Sequence, residues 1–373
     1  MKLIVNICRF ITGILFVFSG LVKANDPRGL AYKMQEFFDV WGRDSWLHDL
    51  MLQLSAIALP LSLFLITLEV IVGIALLLGS YKRLVNWLLL ILILFFTFLT
   101  GYAVLSGKIA TCGCFGDCLP LTPMQSFIKD VVLLVFILVI VGGRRYIIPV
   151  LTPAFRFLIL LAGTVAVIFF QWYVLRYNPV VDCLPFKQGN DILELRKMPA
   201  DAVPDKKEYV FVYKKDGEQR EFSVSNLPDS SWEFVSREDV IIEKGKNNEP
   251  PIKDFYLSSM SGTDSTEAVL TMDTDYYLFF IRDVDNNRDR WLSQFSRVHK
   301  SATQKGMPVF IVTPQPDKAN AFFNQQNNYK VAVFSLDATS WKTAARTDPS
   351  LYLLHGPVIK DKWGWASLEN AAR

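Results

Sequence analysis

The sequence is poor in cysteine and histidine, and it has no stretch of basic residues interleaved with aromatic residues. Its 373 residues include five cysteines and three histidines. Five cysteines are too few for a fold held together by disulfides. The formal net charge of +3 is small and dispersed, which argues against a nucleic acid as partner. Internal repeats and low-complexity tracts are also lacking.

The composition differs sharply between the two parts of the chain. Hydrophobic residues make up 51% of the sequence, and the mean hydropathy is +0.26. Long apolar runs dominate residues 1–177, whereas the remainder has the composition of a soluble domain. The length leaves room for two or three domains. We therefore expect a membrane α-helical bundle followed by a soluble α/β domain.

Five apolar runs predict transmembrane helices. They cover residues 3–22, 54–79, 84–105, 127–141 and 157–175. The fourth run is short for a span of about 20 residues, so we expect it to extend back through Met124 and Gln125. Lys2 followed by an apolar run resembles the start of a signal peptide. No A-x-A-like cleavage site follows, so we expect an uncleaved anchor.

Lysine and arginine in the short loops predict the orientation, because such loops are enriched on the cytoplasmic side. Residues 81–83 join the second and third runs, and Arg144-Arg145 join the fourth and fifth. The N-terminus is then cytoplasmic as well. The loop 23–53 also contains basic residues, which weakens the rule. We expect a bacterial inner-membrane protein whose residues 106–125 and C-terminal part are periplasmic.

Three of the five cysteines lie close together between the third and fourth runs. The segment reads Thr111-Cys112-Gly113-Cys114-Phe115-Gly116-Asp117-Cys118. A disulfide between Cys112 and Cys114 would close a small ring, near the limit of what Cα spacing allows. Such a bond is easily reduced, which favours thiol exchange over a structural role. A plain disulfide and a soft-metal site are the alternatives.

The remaining cysteines have different expected roles. Cys183 follows the fifth run, and we expect it near the same membrane surface as Cys112. A lone cysteine is most often an inert apolar residue, but this location favours exchange with the loop thiols. In the exchange hypothesis, Cys118 or Cys183 resolves the mixed disulfide. Cys8 is interpreted as a packing residue. A metal site would lack a fourth ligand, since only His48 is expected on that side.

Two ionisable residues are expected inside the membrane. Arg9 lies about two turns into the first run, and Glu69 lies near the middle of the second. An ion in hydrocarbon costs at least about 2.5–3.5 kcal/mol, so it usually faces a partner, water or a ligand. The structural interpretation is an Arg9–Glu69 pair, or Arg9 reaching the cytoplasmic surface. The functional interpretation is a quinone pocket or proton path, in which Arg9 or Lys23 stabilises the reduced quinone oxygen.

The membrane part also carries family patterns. Residues 9–23, with Arg9, Gly13, Gly20 and Lys23, resemble the first helix of the DoxX family, and residues 68–79 are similar to its second. Cys112-Gly113-Cys114-Phe115-Gly116 resembles the motif of the MauE branch, the methylamine-utilisation membrane proteins. The resemblance covers residues 1–142 and implies a four-helix envelope protein linked to redox chemistry.

The two branches imply different reactions. DoxX relatives are associated with quinone-coupled oxidation, and MauE with disulfide formation in the small subunit of methylamine dehydrogenase. This chain departs from a MauE protein in having Cys118, a fifth apolar run and a long C-terminal extension.

The soluble part first predicts a small antiparallel unit and then an α/β order. Residues 209–213 and 219–224 form a predicted hairpin around Asp216-Gly217, and residues 240–243 form another strand. After Pro251, apolar and amphipathic segments alternate. The predicted strands are 276–284, 306–313, 330–336, 350–354 and 357–364. The predicted helices are 288–305, 317–327 and 340–346.

This order resembles a thioredoxin-like fold of the TlpA/peroxiredoxin kind over residues 250–366. Residues 252–257 are similar to that group's first strand, and Asp348-Pro349 lies where the fold has its cis-proline. The Cys-x-x-Cys motif of thioredoxins is absent, because the corresponding residues 283–291 contain no cysteine. The resemblance therefore implies a domain that binds or presents a client and cannot perform dithiol chemistry alone.

The sequence thus predicts four segments. They are a DoxX/MauE-like four-helix domain (1–145), a fifth transmembrane helix (146–177), a β-rich linker (178–250) and a thioredoxin-like domain (251–373). The first hypothesis is a thiol–disulfide or quinone-linked oxidoreductase, with Arg9, Lys23 and Glu69 near a quinone. The alternatives are a binding or assembly module with a structural disulfide, and a soft-metal handler. The expected partners are the lipid membrane and an envelope protein with thiols.

Overall fold

The structure, a computed structural model, describes residues 1–43, 46–109, 116–215, 217–243 and 245–372. The helices of its N-terminal part are α1 (Lys2–Asn25), α2 (Pro27–Gly42), α3 (His48–Ala56), α4 (Ala58–Leu78), α5 (Lys82–Ser106), α6 (Pro123–Gly142) and α7 (Pro153–Tyr177). Within these ranges, α1, α4, α5, α6 and α7 are long and apolar enough to cross a membrane. The predicted count of five spans is confirmed, and α2 and α3 show that the loop 23–53 is largely helical.

Small residues bring α1 and α4 into close contact. A Cβ atom added at Gly20 would lie 2.4 Å from Cγ2 of Val70, and one added at Gly13 would lie 2.6 Å from the Leu77 side chain. On the facing helix, a Cβ at Gly73 would lie 3.0 Å from the Gly13 carbonyl oxygen. Close approach of backbones at small residues drives helix association in membranes, where burial of apolar surface does not. These glycines therefore fix which side chains of α1 and α4 meet.

The fourth span begins earlier than its apolar run, as expected. Pro123 occupies the first turn of α6, and Thr122 is its N-cap. The Thr122 hydroxyl accepts from the Gln125 backbone N–H, and the Gln125 side chain accepts from the Thr122 backbone N–H. This capping box satisfies backbone N–H groups at the start of α6. Because α6 begins at Pro123, Lys129 and Asp130 lie in its first half.

The chain alternates between the two ends of the bundle. At one end, the Asn25 side chain bonds to the backbone of Val181, which follows α7. At the other end, the backbone N–H of Val150 donates to the Leu78 carbonyl at 3.2 Å. The end of α1 therefore lies beside the start of the soluble part.

Residues 206–243 form a three-stranded antiparallel sheet. Its strands are β1 (Lys206–Lys215), β2 (Glu218–Ser223) and β3 (Glu233–Glu243), in the order β2-β1-β3. The predicted hairpin is present, with its turn residue Asp216 outside the described residues. The third strand is longer than the predicted 240–243, because Glu233 already pairs with β1.

The rest of the soluble part is an α/β unit built on a five-stranded sheet. Its strands are β4 (Asp275–Phe280), β5 (Val309–Thr313), β6 (Ala332–Ser335), β7 (Ser350–His355) and β8 (Val358–Gly364). The helices of this unit are α9 (Thr266–Leu270), α10 (Arg288–Gln304), α11 (Pro316–Asn320) and α12 (Ala338–Ala344). A short helix, α8 (Ile192–Leu195), lies before β1 in the sequence. The strand order is β6-β5-β4-β7-β8; β5 is parallel to β4 and β6, and β7 is antiparallel to β4 and β8.

The central strand is buried on both faces, as its continuous apolar sequence predicts. Tyr276, Leu278 and Phe280 belong to the core on one side of the sheet. Tyr277 and Phe279 belong to the core on the other side, where α10 packs.

Several further predictions for the soluble part differ from the structure. The strand predicted over 276–284 ends at Phe280. Residues 252–257 form no strand. The next residue, Ser258, makes two isolated β-bridges, to Asp264 and to Ser335. The helix predicted over 317–327 divides into α11 and a π-helical turn over Ala321–Gln326. The Asp348–Pro349 peptide bond is cis, as expected.

Specific side chains join the soluble part to the helices. Nε of Arg346 lies 2.6 Å from Oδ2 of Asp26, between α1 and α2. The Lys342 ammonium donates to Oε1 of Gln35 on α2 at 3.1 Å. The indole N–H of Trp365 donates to the Leu175 carbonyl at the end of α7. The α/β unit is therefore held against α1, α2 and α7 at the same end of the bundle.

Candidate functional site

Two cysteines that are distant in sequence form a disulfide at the end of the bundle. Cys118 ends a 3-10 turn over Gly116–Cys118 before α6, and Cys183 lies shortly after α7. Their Cα atoms are 4.9 Å apart, and their sequence separation is 65. The sequence predicts Cys118 and Cys183 as alternative resolving thiols, whereas in the structure they bond to each other. Sequence alone does not show which of several cysteines pair.

Cys112 and Cys114 lie outside the described residues. Cys114 precedes Cys118 by four positions. The length of the chain alone therefore limits the separation of their Cα atoms to about 14 Å. The prediction that Cys112 and Cys114 are the reactive thiols stays a prediction.

The disulfide is connected to the end of α1 through Asn25. The Asn25 amide donates to the Val181 carbonyl at 2.8 Å and accepts from the Val181 N–H at 3.0 Å. Cys183 follows two residues later, and its neighbour Asp182 lies 2.6 Å from the ammonium of Lys362 on β8. These contacts hold the Cys183 segment between α1 and the five-stranded sheet.

Lys23 and Glu69 form an ion pair inside the bundle. The Lys23 ammonium donates to both carboxylate oxygens of Glu69, at 2.9 and 2.7 Å, and both side chains are about 95% buried. Lys23 is two residues before Asn25, so the pair lies in the half of the bundle nearest the disulfide. The ammonium also lies 4.7 Å from the centre of the Phe96 ring. An ion pair with these contacts removes most of the cost of placing either charge in hydrocarbon.

A second group of polar residues faces the same interior. The Asp130 carboxylate accepts from the Thr100 hydroxyl at 3.1 Å and lies 2.9 Å from the Lys129 ammonium. Lys23, Glu69, Lys129 and Asp130 all line one small gap between the helices. Lys129 and Asp130 are not among the site residues predicted from the sequence, although both lie inside the apolar run predicted over 127–141. Their adjacency within an apolar run is the signal that could have identified them.

The gap between these residues is small. Its volume is about 20 Å³, enough for one water molecule and too small to enclose a quinone ring. The Lys23 ammonium donates to Glu69, and the Thr100 hydroxyl donates to Asp130. The expectation of a quinone near these residues stays a prediction.

Arg9 lies away from this cluster, and the expected Arg9–Glu69 pair is wrong. Its guanidinium donates to the carbonyls of Leu76 and Leu77 at the end of α4 and of Ile148 before α7. Arg9 and Lys23 are fourteen positions apart on α1, about 21 Å along the helix axis. Arg9 is 2% exposed, so it does not reach out to the surface either. It closes the far end of the bundle, where unpaired carbonyls of α4 require donors.

A groove lies directly beside the disulfide. Its volume is about 800 Å³, and Cys183 forms part of its wall. The other walls come from α2, α12 and the segments near Pro120 and Pro251. Both charge signs are present, with Glu36 and Asp39 facing Lys342 and Arg346. Burial lowers the pKa of Lys342, and the nearby charge of Arg282 lowers it further.

Residues 283–291, where the resemblance to thioredoxins would place a Cys-x-x-Cys motif, form a turn of charged and amide residues and the start of α10. Asp283 and Asp285 both lie within 2.7 Å of the Lys318 ammonium. Hydrogen bonds from Lys318 and from the Asp285 N–H lower the pKa of Asp283. Asn287, the N-cap of α10, and Asp348 line a cavity together with residues at the end of α7. Because Asp285, Asn286 and Asn287 are exposed, this end of the α/β unit lies beside α7 but is not covered by it.

The described residues contain no cluster of histidine, cysteine and carboxylate side chains that could hold a metal ion. Cys8 is buried between the helices of the bundle and is the free cysteine among those described. Its surroundings are apolar, as its interpretation as a packing residue requires.

Two family descriptions match parts of the chain. Residues 1–143 match the family described as methylamine utilisation protein MauE. Residues 207–244, which contain most of the three-stranded sheet, match a domain of unknown function, DUF8463. Neither a curated protein nor a solved structure matches the chain. The membrane part is therefore MauE-like, in keeping with a bacterial membrane protein of the envelope, and no comparison covers the α/β unit.

Proposed function

We propose that this chain is a membrane-bound thiol–disulfide exchange protein of the bacterial cell envelope. The observation that carries the proposal is the Cys118–Cys183 disulfide, which lies on the wall of a large groove. The same disulfide is within chain reach of Cys114 and is linked to the buried Lys23–Glu69 pair through Asn25. A MauE-like membrane part is compatible with this role.

The exchange proceeds in two transfers between pairs of sulfur atoms. A client thiolate attacks Sγ of Cys183, the Cys118–Cys183 bond breaks, and Cys118 leaves as a thiolate. The second client thiol then attacks the mixed disulfide, which gives an oxidised client and a reduced Cys118/Cys183 pair. A Cys112–Cys114 disulfide accepts the same two electrons and restores the Cys118–Cys183 bond. Attack by a thiolate on a disulfide sulfur is the general route for such transfers.

The groove assigns different roles to the cysteines than the sequence did. Among the described residues Cys183 is the cysteine that lines the groove, so it meets the client first. Cys112 and Cys114 then act as the pair that reoxidises Cys118 and Cys183. The groove is lined by both acidic and basic side chains, which suits a folded protein client with thiols rather than a small apolar molecule.

The final acceptor in this proposal is a quinone dissolved in the membrane. The cluster of Lys23, Glu69, Lys129 and Asp130 supplies buried groups that can hold or release a proton near the thiols. Intramembrane ionisable residues commonly serve proton transfer in membrane proteins. Arg9 is left out of this cluster, because its donors are used by carbonyls at the far end of α1.

The α/β unit is proposed to be a thioredoxin-like domain that positions the client. The support is its strand order, with Asp348-Pro349 directly before β7. Residues 184–373 contain no cysteine, so the unit cannot perform dithiol chemistry by itself. The surface proposed for a client is the α12 side of the groove, because Cys183 lines the same groove.

Thiol trapping in intact cells tests the proposal. Cells are quenched in acid, and free thiols are alkylated with a mass tag before and after depletion of respiratory quinone. We expect the cysteines other than Cys8 to shift toward the reduced state on depletion. A Cys8→Ser variant serves as the matched control and should show the same shift. Cysteines that stay in one state under both conditions would contradict the exchange function.

A second function is a binding module in which the Cys118–Cys183 bond is purely structural. The bond joins the segment before α6 to the segment after α7, and such a cross-link would hold the α/β unit on the bundle. In that case a Cys118→Ser/Cys183→Ser variant would lose thermal stability but keep its function in cells. Soft-metal handling by Cys112 and Cys114 is tested by metal analysis of the purified protein.

A further inference from the structure

A second cavity lies where the end of α7 meets the start of α10. Its volume is about 230 Å³, and the proposed exchange reaction does not use it. Its lining combines aromatic, basic and amide side chains. They are Trp172, Leu175 and Arg176 of α7, Asn286, Asn287, Arg290 and Trp291 at the start of α10, and Arg28, Asp348 and Trp365.

The charged residues of this cavity are unbalanced. Three arginines, Arg28, Arg176 and Arg290, face one carboxylate, Asp348. Within the part of the chain that the structure describes, none of the three forms an ion pair. Nε of Arg28 is buried and has no hydrogen-bond partner. A buried donor without an acceptor is costly, so these guanidinium groups point to an anion that is bound in the cavity.

Aromatic rings hold two of the arginines in place. Cζ of Arg176 lies 3.9 Å from the Trp172 ring centre and 5.2 Å from that of Trp365. Cζ of Arg290 lies 5.7 Å from the Trp365 ring centre. Stacking on a ring uses the face of the guanidinium and leaves its N–H edges free to donate. Arg176, which lies between two indole rings, is the more firmly held of the two, and Arg290 is exposed at the edge of the cavity.

The start of α10 adds a positive end to the same wall. This helix of 17 residues begins at Arg288, and the side chain of its N-cap residue Asn287 makes no capping hydrogen bond. Helix N-termini attract anions through their free N–H groups. Asp289 in the first turn opposes this in part.

We propose that this cavity binds a phosphate group. Forked guanidinium donors match the oxygens of phosphate. The volume corresponds to about seven water molecules, which accommodates a tetrahedral oxyanion. Because Trp172 and Arg176 belong to the last turns of a membrane span, the headgroup of an anionic phospholipid is one source of the phosphate. Soluble inorganic phosphate is the other.

Binding to the purified full-length protein tests this proposal. Tryptophan fluorescence is followed while dihexanoyl phosphatidylglycerol or inorganic phosphate is added in a detergent without phosphate. We expect saturable binding that Arg176→Gln and Arg290→Gln each weaken about tenfold, the effect of losing a charge-assisted hydrogen bond. Arg297→Gln is the matched control, since Arg297 lies on the same helix and pairs with Glu369 at the surface. It should bind as the wild type does.

The outcomes distinguish a lipid headgroup from inorganic phosphate as the source of the bound group, and they show when the cavity binds neither. Binding of the lipid that inorganic phosphate does not displace identifies a headgroup site, and binding of inorganic phosphate alone identifies a soluble source. Asp348→Asn should bind phosphate more tightly, because it removes the one negative charge in the cavity lining. A variant that had merely misfolded would bind phosphate less tightly. Equal binding by the Arg176, Arg290 and Arg297 variants, or no binding of either probe, would overturn the proposal. None of these results depends on the cysteines, so the exchange function stands or fails separately.

Discussion

At the residue scale, each buried charge of the bundle is neutralised in a different way. Lys23 and Glu69 neutralise each other, whereas Arg9 uses backbone carbonyls. The sequence predicts that Arg9 and Glu69 lie within apolar spans, and both are buried in the helix bundle. It could not predict their partners, because these depend on the rotation of α1 against α4. That rotation is set by contacts at Gly13, Gly20 and Gly73 rather than by the charges.

The Lys23–Glu69 pair gives a prediction about stability. Lys23→Met leaves the Glu69 carboxylate unpaired, and loss of one partner of a buried pair costs about 3–5 kcal/mol. The double variant Lys23→Met/Glu69→Leu should recover most of that loss, because both charges are gone. Unfolding in a fixed detergent measures the change. Lys33→Met is the control, because the partly exposed Lys33–Glu36 pair should contribute less than about 1 kcal/mol. A double variant as unstable as the single one would contradict this account.

At the element scale, the long helices followed directly from apolar length, and the soluble strands followed from short apolar runs. The prediction failed where tertiary context decides. Residues 252–257 have a strand-like sequence, but Phe255 and Leu257 are buried in the core without a neighbouring strand to pair with. The pairing of Cys118 with Cys183 was likewise invisible, because it requires the end of α7 to lie beside the start of α6.

The α1–α4 contact gives a prediction about helix packing. Gly73→Val places a branched side chain where a Cβ already meets the Gly13 carbonyl and Val17 at 2.9–3.0 Å. The helices must then separate, and Lys23 moves away from Glu69. We expect a loss of thermal stability in detergent together with loss of thiol exchange. Gly142→Val is the control, since a Cβ there meets nothing within 4 Å. Equal stability of the two variants would show that the contact does not fix the bundle.

The cap of α12 gives a prediction about pH. The Asp337 carboxylate accepts from the N–H groups of Thr339 and Ser340, and these bonds lower its pKa from 3.8. The unfolded state therefore binds the proton more readily, so this contribution is present above about pH 4 and is lost as the pH falls through the lower folded pKa. Hydrogen exchange of residues 338–345, corrected for intrinsic rates, should show protection that declines in acid.

Two substitutions at Asp337 check this assignment. Asp337→Asn keeps a capping oxygen and should remove most of the pH dependence, because its side chain does not titrate. Asp337→Ala should lose about 1 kcal/mol of local stability near neutral pH. An acid-induced decline of equal size in Asp337→Asn would show that another group is responsible.

At the scale of the whole molecule, the α/β unit is fixed on one end of the bundle by an ion pair, a disulfide and an indole hydrogen bond. Arg346–Asp26, Cys118–Cys183 and Trp365–Leu175 are all contacts between segments that are distant in sequence. The sequence predicts that the cysteine-containing segment 106–125 and the soluble part lie on the same side of the membrane. It gave no indication of which surface of the α/β unit faces the helices.

Labelling of introduced cysteines tests the orientation in the membrane. In a background in which Cys112, Cys114, Cys118 and Cys183 are all replaced by serine, Gly142→Cys lies at the bundle end with Arg144 and Arg145, and Ser225→Cys lies in the exposed part of the soluble chain. A maleimide that does not cross the inner membrane should label Ser225→Cys once the outer barrier is opened. It should label Gly142→Cys only after the inner membrane is permeabilised. The reverse pattern would contradict a periplasmic soluble part.

In the proposed exchange, Cys112 and Cys114 restore the Cys118–Cys183 disulfide after each turnover. The redox state of Cys118 and Cys183 is best measured in growing cells that express the Cys112→Ser/Cys114→Ser variant, after acid quench and alkylation with a mass tag. We expect a disulfide in most wild-type molecules and a reduced pair in most variant molecules, because clients continue to reduce it. A pair that is fully oxidised in both would mean that the bond is structural and that Cys112 and Cys114 do not restore it.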